Sequence, residues 1–521
     1  MKKKLVSLLM AGCMMASILS GCGKEAGQEN GSAVGEASGT EAAGEKEAEG
    51  GNGTEPDNAK GEMPNLVVSY AYAAVPDDLD KVEAAINEIT KEKIGCTVTL
   101  EAFTYGNIDD QITLILSSPS EQLDVMFGRF LNGMASFVEK GQLTPLNNLL
   151  DEHGQGIQEV LGEKYIKAAS LNGECYGLTT CRDMASQISC MFRKDIIDEL
   201  EIDLSQVKTY DDLTPVFEQI HEAHPELYVT GGSAPQTRFL VKNYGKIDFL
   251  GNLLGVLEDY DKPVVTNLFE SEAWKGLVRR NTEWNQAGYI YPDICTDSSS
   301  SVQMLLSNGV AASYFQVFKP GAVVENENTV QNYELVAAPV ESPVSFTSNV
   351  QNWMWAIPTN SKNPGKAMEF LNLLYTDADL INLFSFGIEG EHYVLNEEGF
   401  ATDGPNTAAY ADKASWKAGN AYLSHIWEGD DADLYEQLQA FNESAAQSCA
   451  MGFVMDNSTV SSEYTALQSV LAKYEVMLEW GFAGDVDATI AEFNKALYDA
   501  GLQAYMDEKQ RQLDEFIASK E

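Results

Sequence analysis

Aromatic rings and planar polar side chains are the residues of this chain whose types could do chemistry. A Tyr or Trp ring can stack against the flat C–H face of a sugar, while Arg, carboxylate and amide groups can bond its hydroxyls. Several of these residues lie at the ends of predicted strands, where open sheets bind ligands. The candidate ligand-binding residues are Tyr72, Phe127, Arg129, Arg182, Asp183, Tyr314, Gln316, Trp353, Trp355 and Glu389.

The alternative for each aromatic candidate is ordinary packing in a hydrophobic core. Trp353 and Trp355 are two residues apart in the run Trp-Met-Trp-Ala-Ile, so a strand would point both rings to one face. Either both rings line the ligand site or both enter the core, and for this pair we favour the core.

No catalytic or cofactor motif is present in the sequence. It lacks a GxSxG elbow, an HExxH pair, a Gly-rich phosphate loop, an EF-hand loop and a CxxC pair. His221 and His224 could share a helix face, but without an evident third ligand we expect no metal. We expect His392 to be a packed structural histidine rather than a base. The sequence therefore predicts a protein that is not an enzyme and needs no cofactor.

The composition limits the partners of the chain. Its 521 residues, 44% of them hydrophobic, suffice for two or three domains. The formal net charge of −45 disfavours nucleic acid and anionic headgroups, and we expect a monomer. The six cysteines beyond the N-terminal segment show no disulfide framework, so we expect mostly free thiols at Cys96, Cys175, Cys181, Cys190, Cys295 and Cys449.

The N-terminal segment has the pattern of a processed leader. A basic start and an apolar run end in Leu19-Ser20-Gly21-Cys22, which is similar to the bacterial lipobox. We expect a lipoprotein signal peptide over residues 1–22, with lipid carried on Cys22. Residues 23–63 are rich in Gly and Glu, and such a segment cannot bury enough apolar surface to fold. They are expected to form a disordered tether.

The folded part begins with alternating strands and helices. Short strands are predicted near residues 66–73, 98–102 and 124–127, with helices between them. This alternation is typical of a doubly wound parallel α/β sheet. Further strands are predicted over residues 309–318 and 335–340 in a second part of the chain. Several long helical patterns follow residue 399.

Two motifs near residue 360 carry a resemblance to a known family. The run WMWAIPTNSKNPG begins at Trp353, and GIEGEHY begins at Gly387. Together they resemble the signature region of family 1 extracellular solute-binding proteins of ABC transporters, in the lipoprotein branch. Weaker matches begin at Leu171 and Cys190, and at the first of them Thr179 stands where the family has Pro. The resemblance extends over most of residues 65–520.

The resemblance implies a two-lobed α/β fold of the periplasmic-binding-protein type (type II), with a helical C-terminal extension. One lobe would comprise residues 64–184 and 348–398, and the other would comprise residues 185–347 and 399–521. A carbohydrate, in particular an oligosaccharide, would be caught between the hinged lobes and delivered to a permease. The protein would be anchored by lipid on the outer face of the cytoplasmic membrane.

Two alternatives to a sugar-binding protein stay open. The same fold could bind a peptide or another solute, for uptake or for sensing. A secreted glycan-active enzyme would need a pair of catalytic carboxylates, and carboxylates are too abundant here for the sequence to assign such a pair.

Overall fold

The computed structural model describes residues 63–118, 120–130, 134–171, 173–231, 239, 244–297 and 301–520. The predicted signal peptide, the lipidation site Cys22 and nearly all of the tether lie outside the described residues. None of the described helices is long and apolar enough to cross a membrane.

The strands of the described part are mostly short. In chain order they are β1 Asn65–Tyr72, β2 Thr97–Thr104, β3 Val125–Arg129, β4 Ser170–Leu171, β5 Glu174–Cys175, β6 Leu178–Thr179, β7 Gln187–Arg193, β8 Val256–Leu257, β9 Val265–Thr266, β10 Ser313–Phe318, β11 Leu335–Pro339, β12 Val344–Ser345, β13 Trp353–Ala356, β14 Tyr393–Leu395, β15 Ala401–Asp403 and β16 Ala446–Gln447.

Helices surround these strands and dominate the C-terminal part. They are α1 Leu79–Ile94, α2 Ile108–Leu116, α3 Met134–Glu139, α4 Asn147–His153, α5 Gln155–Ala168, α6 Lys194–Glu199, α7 Thr214–Ala223, α8 Glu272–Gln286, α9 Val302–Ser307, α10 Ala322–Val330, α11 Thr347–Val350, α12 Pro364–Thr376, α13 Ala378–Phe386, α14 Leu434–Ser444, α15 Ser461–Glu479, α16 Val486–Asp499 and α17 Leu502–Ala518.

The three strands predicted at the start of the fold are parallel, as expected, but the five-stranded sheet that contains them is mixed rather than wholly parallel. Its order is β2-β1-β3-β13-β6, and β1 pairs in parallel with both β2 and β3. Strand β13 runs antiparallel to β3 and to β6. The first three strands are joined by helical crossovers, which produce parallel neighbours. Strand β13 enters after a long excursion of the chain, so no crossover helix fixes its direction.

The second sheet consists of three antiparallel strands in the order β10-β7-β11. The start of β7 lies beside the end of β10, with Gln187 opposite Phe318. The end of β11 lies on the other side of β7, where Pro339 is opposite Ser189. The residues that follow β10 and β11 therefore leave this sheet at the same end.

Two large hydrophobic cores divide the described chain. One takes its buried residues from 66–181 and 353–418, and the other from 188–340 and 450–513. Tyr410 and Ala418 pack in the first core, whereas the predicted boundaries place everything after residue 398 in the second lobe. The predicted lobe boundaries stay predictions.

The SKNP turn of the signature segment is held by one buried carboxylate. Asp124 is fully buried, and its Oδ1 accepts hydrogen bonds from the Ser361 hydroxyl and the Lys362 N–H, both at 2.8 Å. Its Oδ2 accepts from the Val67 N–H at 2.9 Å and from the Gln122 amide. The turn is thus fastened to the first sheet, which gives these residue types a structural purpose.

His392 of the GIEGEHY motif is buried and packed, as expected. Its Nδ1 accepts the Ile388 N–H at 2.9 Å, and its Nε2 lies 3.2 Å from the Asp78 carboxylate. A Cβ atom at Gly387 would lie 2.4 Å from the His392 ring, and Gly387 has a φ of +80°. The motif therefore needs glycine there to let the ring approach the backbone. The six cysteines of the described part are free, as predicted.

Candidate ligand-binding site

Four aromatic rings meet where β2 and β3 end and β13 begins. The ring of Trp353 stacks on Phe127, with centroids 5.2 Å apart and planes 15° apart. Tyr105, directly after β2, lies edge-on to Trp353 at 5.6 Å. Trp416 stacks with Tyr105 at 6.3 Å and stands edge-on to Trp353 at 5.9 Å. We call Tyr105, Phe127, Trp353 and Trp416 the aromatic cluster.

Two arginines flank the aromatic cluster. The guanidinium of Arg129 lies 4.9 Å from the centre of the Trp353 ring and donates to the Tyr105 carbonyl. The guanidinium of Arg182 lies 5.7 Å from the Trp416 ring and 3.2 Å from the Asp183 carboxylate. Both cations can therefore place donors beside an aromatic face, which is the arrangement that a hydroxyl-bearing ring requires.

Solvent exposure increases across the cluster, from a buried side to an accessible rim. Phe127 is fully buried, Trp353 is 9% exposed, and Tyr105 and Trp416 are half-buried. The side chain of Arg129 is 43% exposed. An apolar floor with a partly exposed rim of rings and cations can bind a ligand that has a flat apolar face and polar edges.

A buried ion pair lies beneath the cluster. The ammonium of Lys417 contacts the Asp412 carboxylate and the Ala71 carbonyl, and it lies 4.5 Å from the Tyr70 ring and 5.4 Å from the Tyr105 ring. Burial lowers the pKa of Lys417 and raises that of Asp412, because it disfavours both charges. The pair links the segment that carries Trp416 to the end of β1.

The second sheet contributes a cation to the same neighbourhood. Lys319 follows β10, and its ammonium forms an ion pair with Glu325 while its side chain is 21% exposed. Burial lowers the pKa of Lys319, but the negative charges of Glu325, Asp183 and Asp430 outweigh that effect and raise it. Asp183 also pairs with Arg182 beside the cluster, so its negative charge acts on both cations.

Two later segments of the chain hold the backbone at Arg182 and Asp183. The Asn442 amide of α14 donates to the Arg182 carbonyl at 2.7 Å and accepts the Met184 N–H at 2.8 Å. The Tyr422 hydroxyl donates to the same carbonyl at 2.8 Å. The backbone at residues 182–184 is thereby fixed, and the Arg182 side chain is directed toward Trp416.

Several predicted site residues are brought together, and others are not. Phe127, Arg129, Arg182, Asp183 and Trp353 all belong to the cluster or its flank. Tyr72 and Tyr314 are fully buried, and their hydroxyls contact Tyr410 and Asn326 respectively. The prediction that these two rings stack against the ligand is corrected, because both are fully buried and neither has a face accessible to a sugar.

The remaining predicted residues lie near the site or away from it. Trp355 is fully buried beside Phe127 and donates its indole N–H to the Lys417 carbonyl at 3.0 Å. Trp353 contacts the same Phe127 ring and belongs to the same core, but it lies at the edge that borders the cluster. The two rings share a face as predicted, whereas the expected choice between core and site does not hold for this pair. Gln316 uses its own amide oxygen to accept the Val317 N–H. Glu389 is exposed and lies in the turn after α13, where its backbone bridges to Tyr393.

Sequence reasoning missed Tyr105, Trp416, Lys417 and Lys319. Tyr105 follows the predicted second strand and could have been found by the strand-end rule that selected Arg129. Trp416 and Lys417 lie in irregular chain far from the strands that they meet, and no local pattern indicates their position. Lys319 directly follows a predicted strand, but its role depends on acidic partners elsewhere in the chain.

One group of metal-type ligands exists among the described residues. Carboxylate or ring atoms of Asp78, Glu391 and His392 lie within 4.8 Å of one another. The ammonium of Lys81 already bridges the two carboxylates, at 2.8 Å from Asp78 and 2.7 Å from Glu391. With a cation in place, and both His392 nitrogens in contacts, we assign no metal there. His221 and His224 form no such group in the described part of the chain.

Comparison with known proteins provides the family context. A carbohydrate ABC transporter substrate-binding protein of Streptococcus pneumoniae is 26% identical over 471 residues, covering 88% of this chain and 92% of that protein. The crystal structure of the N-glycan transport solute binding protein NgtS from the same species matches with a TM-score of 0.75 at 24% identity, covering 88% of this chain and 100% of that one. Its complex with Man5GlcNAc matches with a TM-score of 0.64 at 25% identity, covering 88% and 99%.

These structural neighbours are solute-binding proteins with a two-lobed fold, so the predicted two-lobed α/β class with a helical C-terminal part is confirmed. Residues 449–518, within that helical part, match a domain of unknown function (DUF3502). Residues 60–380 match the family model described as bacterial extracellular solute-binding protein. Because that match spans more than half of the chain, the protein belongs to this family, the one that its signature segment resembles.

Proposed function

We propose that this chain captures a carbohydrate, in particular an oligosaccharide, for an ABC importer. The observation that carries the proposal is the aromatic cluster, in which partly exposed Tyr105, Trp353 and Trp416 stand between Arg129 and Arg182. Rings offer stacking area to a sugar face, and the guanidiniums and Asp183 offer donors and acceptors to its hydroxyls.

The relatives support an oligosaccharide rather than a single sugar. The matched protein from Streptococcus pneumoniae is named as a carbohydrate substrate-binding protein, and the solved relative was crystallised with Man1GlcNAc and with Man5GlcNAc. We infer a ligand of comparable class for this chain, taken up through permease subunits rather than turned over chemically.

Binding is proposed to work by closure of two lobes on the ligand. The lobes comprise residues 64–184 with 348–398, and residues 185–347 with 399–521, although Tyr410 and Trp416 belong by packing to the first. Closure removes water from the ligand and adds contacts from the second lobe, which shifts the open–closed equilibrium. Lys319 comes from the second lobe, and its positive charge interacts with the negative charge of Asp183.

The protein is further proposed to be a monomer anchored by lipid on Cys22 at the outer face of the cytoplasmic membrane. The sequence pattern Leu-Ser-Gly-Cys supports this location. Replacing Cys22 with Ser is expected to release the protein from the membrane fraction into the medium. Retention of the variant after washing without detergent would exclude lipid anchoring through this residue.

The decisive experiment is calorimetric titration of the secreted chain with oligosaccharides, monosaccharides and peptides, using the Trp416→Ala variant as the test. Trp416→Ala removes an indole that contacts the Arg182 guanidinium and stacks on Tyr105. We expect this loss to cost about 2 kcal/mol of binding free energy or more, which raises Kd roughly 30-fold. Tyr498→Ala on α16 is the matched control, because this ring is 37% exposed and lies outside the cluster.

Each other outcome has a definite meaning. Binding of peptides alone would favour the alternative of a peptide-binding protein. Cleavage of a bound glycan, detected by chromatography, would favour the enzyme alternative. Unchanged sugar affinity in Trp416→Ala would remove the aromatic cluster from the binding site.

A further inference from the structure

A separate pocket of about 380 Å³ lies in the part of the chain built around the second sheet. None of the residues that line it belongs to the aromatic cluster or its flank. They are Lys208, Thr209, Tyr210, Asp211, Tyr244, Gly245, Arg280, Val340, Glu341 and Ser342. The volume falls within the range of small-molecule sites, about 300 to 1,000 Å³.

A fixed guanidinium forms one wall of this pocket. Arg280 of α8 is 10% exposed, and it lies 4.9 Å from the Tyr210 ring and 4.8 Å from the Trp284 ring. Its hydrogen bonds are all long: 3.3 Å to the Tyr244 hydroxyl, 3.3 Å from both Nε and Nη2 to the Asn281 amide oxygen, and 3.4 Å to Asp211. The aromatic rings hold the guanidinium in place while its donors remain weakly used, so they can serve a ligand.

Two polar atoms of the pocket have no hydrogen-bond partner among the described residues. Glu341 Oε1 accepts the Gly245 N–H at 2.9 Å, but Oε2 is free. The hydroxyl of Tyr210 has no hydrogen bond, although the residue is only 5% exposed. The Glu341 backbone is fixed, because its carbonyl accepts from the Gln187 amide. Burial raises the pKa of Glu341, which agrees with a carboxylate that is poorly solvated.

The charges of the pocket predict a neutral ligand. Lys208 and Arg280 balance Asp211 and Glu341, so neither an anion nor a cation is favoured overall. A free carboxylate oxygen accepts from hydroxyls, a guanidinium donates to them, and the Tyr210 hydroxyl can do either. These groups suit a hydroxyl-rich ring rather than a phosphate, a carboxylate or an amine.

The pocket lies at the same end of the second sheet as Lys319. Glu341 follows β11 and Lys319 follows β10, with the start of β7 between them. Strands are spaced by about 4.8 Å, so the two chain exits are roughly 10 Å apart. A ligand that contacts Lys319 and extends along this end of the sheet would therefore meet the pocket.

We propose that this pocket binds one neutral sugar unit of a larger oligosaccharide whose main part is held by the aromatic cluster. The inference rests on the proposed function and deepens it, because it makes Glu341, Arg280 and Tyr210 determinants of preference for ligand size. Small ligands use the cluster alone, whereas larger ones use both places.

The test is calorimetric titration of the secreted chain with Man1GlcNAc and Man5GlcNAc, or with the smallest and largest binding members of whichever glycan series the screen identifies. In Glu341→Gln the affinity for the large glycan should fall about tenfold or more, because a charged acceptor is lost, while the small glycan keeps its Kd. Tyr210→Phe should act in the same direction. Glu334→Gln, an exposed residue just before β11, is the control and should change neither. Thermal melts verify that each variant is folded.

The possible failures are distinguishable. Unchanged Kd values for both glycans in Glu341→Gln overturn the assignment of the pocket as a sugar site. If Trp416→Ala weakens the binding of both glycans, the proposed function is left in place. Equal loss for both glycans also overturns the size-dependent subsite, since it would place Glu341 in the main site. If the wild-type chain binds no carbohydrate, the proposed function and the pocket assignment fall together.

Discussion

Lys417→Met is the perturbation that tests the support of the aromatic cluster most directly. The Lys417 side chain is fully buried, its partner Asp412 is 3% exposed, and the ammonium also bonds the Ala71 carbonyl. Methionine matches the length of the lysine stem but leaves the Asp412 carboxylate without its cation. The variant therefore removes a charge partner with little change in volume.

The expected cost follows from that burial. Breaking a buried ion pair by removing one partner costs about 3–5 kcal/mol, because the remaining charge is uncompensated. For a cooperative unit of about 150–250 residues, each kcal/mol lowers the Tm by about 2–4 °C, so a fall of roughly 6–20 °C is expected. Because Lys417 directly follows Trp416, the variant should also weaken sugar binding.

Differential scanning calorimetry of three variants measures this. Lys413→Met is the matched control, since Lys413 is 37% exposed and its ion pair with Asp403 is worth about 0–1 kcal/mol. The double variant Asp412→Leu with Lys417→Met should recover much of the loss, because it leaves no buried charge. A Lys417→Met variant as stable as Lys413→Met would refute the reasoning.

The same pair predicts a pH dependence. Burial raises the pKa of Asp412 above its unfolded value, so protonation favours the folded form and this contribution is lost as pH rises through the folded pKa. Without Lys417 the pKa of Asp412 rises further. The free energy of unfolding of Lys417→Met should therefore approach that of the wild type as pH is lowered. A difference that widens at low pH would contradict the role given to the buried Asp412 carboxylate.

Two further predictions test the placement of individual residues. Tyr72→Phe should leave sugar affinity within about twofold and cost at most about 1 kcal/mol of stability, because only the contact with the Tyr410 hydroxyl is lost; titration and melting measure both, and a large loss of affinity would return Tyr72 to the site. Asp124→Ala should lower the free energy of unfolding by about 3 kcal/mol or more, since it leaves the donors of Val67, Ser361 and Lys362 unpaired. Asp109→Ala, at an exposed position, is the control. Equal melting temperatures of the two variants would contradict the role of Asp124 in fastening the signature turn.

The fold was predictable where local patterns determine it. The alternation of strands and helices between residues 65 and 129 follows from the periodicity of apolar side chains, which is visible within short windows of sequence. The direction of β13 was not predictable in this way, because it depends on where a long excursion returns. The signature turn is recognisable from its residues. The interaction that requires those residues, a set of four hydrogen bonds centred on the Asp124 carboxylate, is seen only in the structure.

The candidate site was predictable in part, for the same reason. Arg129 lies at the carboxyl end of β3, so a rule about sheets finds it. Trp353 begins β13 and was selected only as an aromatic ring that could stack on a sugar. Tyr72 also lies at a strand end, yet it is buried because later chain, including Tyr410 and Lys417, covers it. A strand-end rule thus identifies the correct edge of the sheet without telling which side chains are covered afterwards.

Trp416 reaches the cluster because the backbone near Gly419 packs closely against the backbone of Leu374, and no sequence pattern predicts this contact. Gly419 has a φ of +92°, and a Cβ atom there would lie 2.2 Å from the Leu374 carbonyl oxygen. The carbonyl of Gly419 accepts the Cys181 N–H at 2.7 Å, and the Ala421 N–H donates back to the Cys181 carbonyl at 3.0 Å. This exchange places Arg182, the next residue, beside Trp416. One glycine therefore lets this late segment bring its indole to a site whose other rings, from Tyr105 to Trp353, lie earlier in the chain.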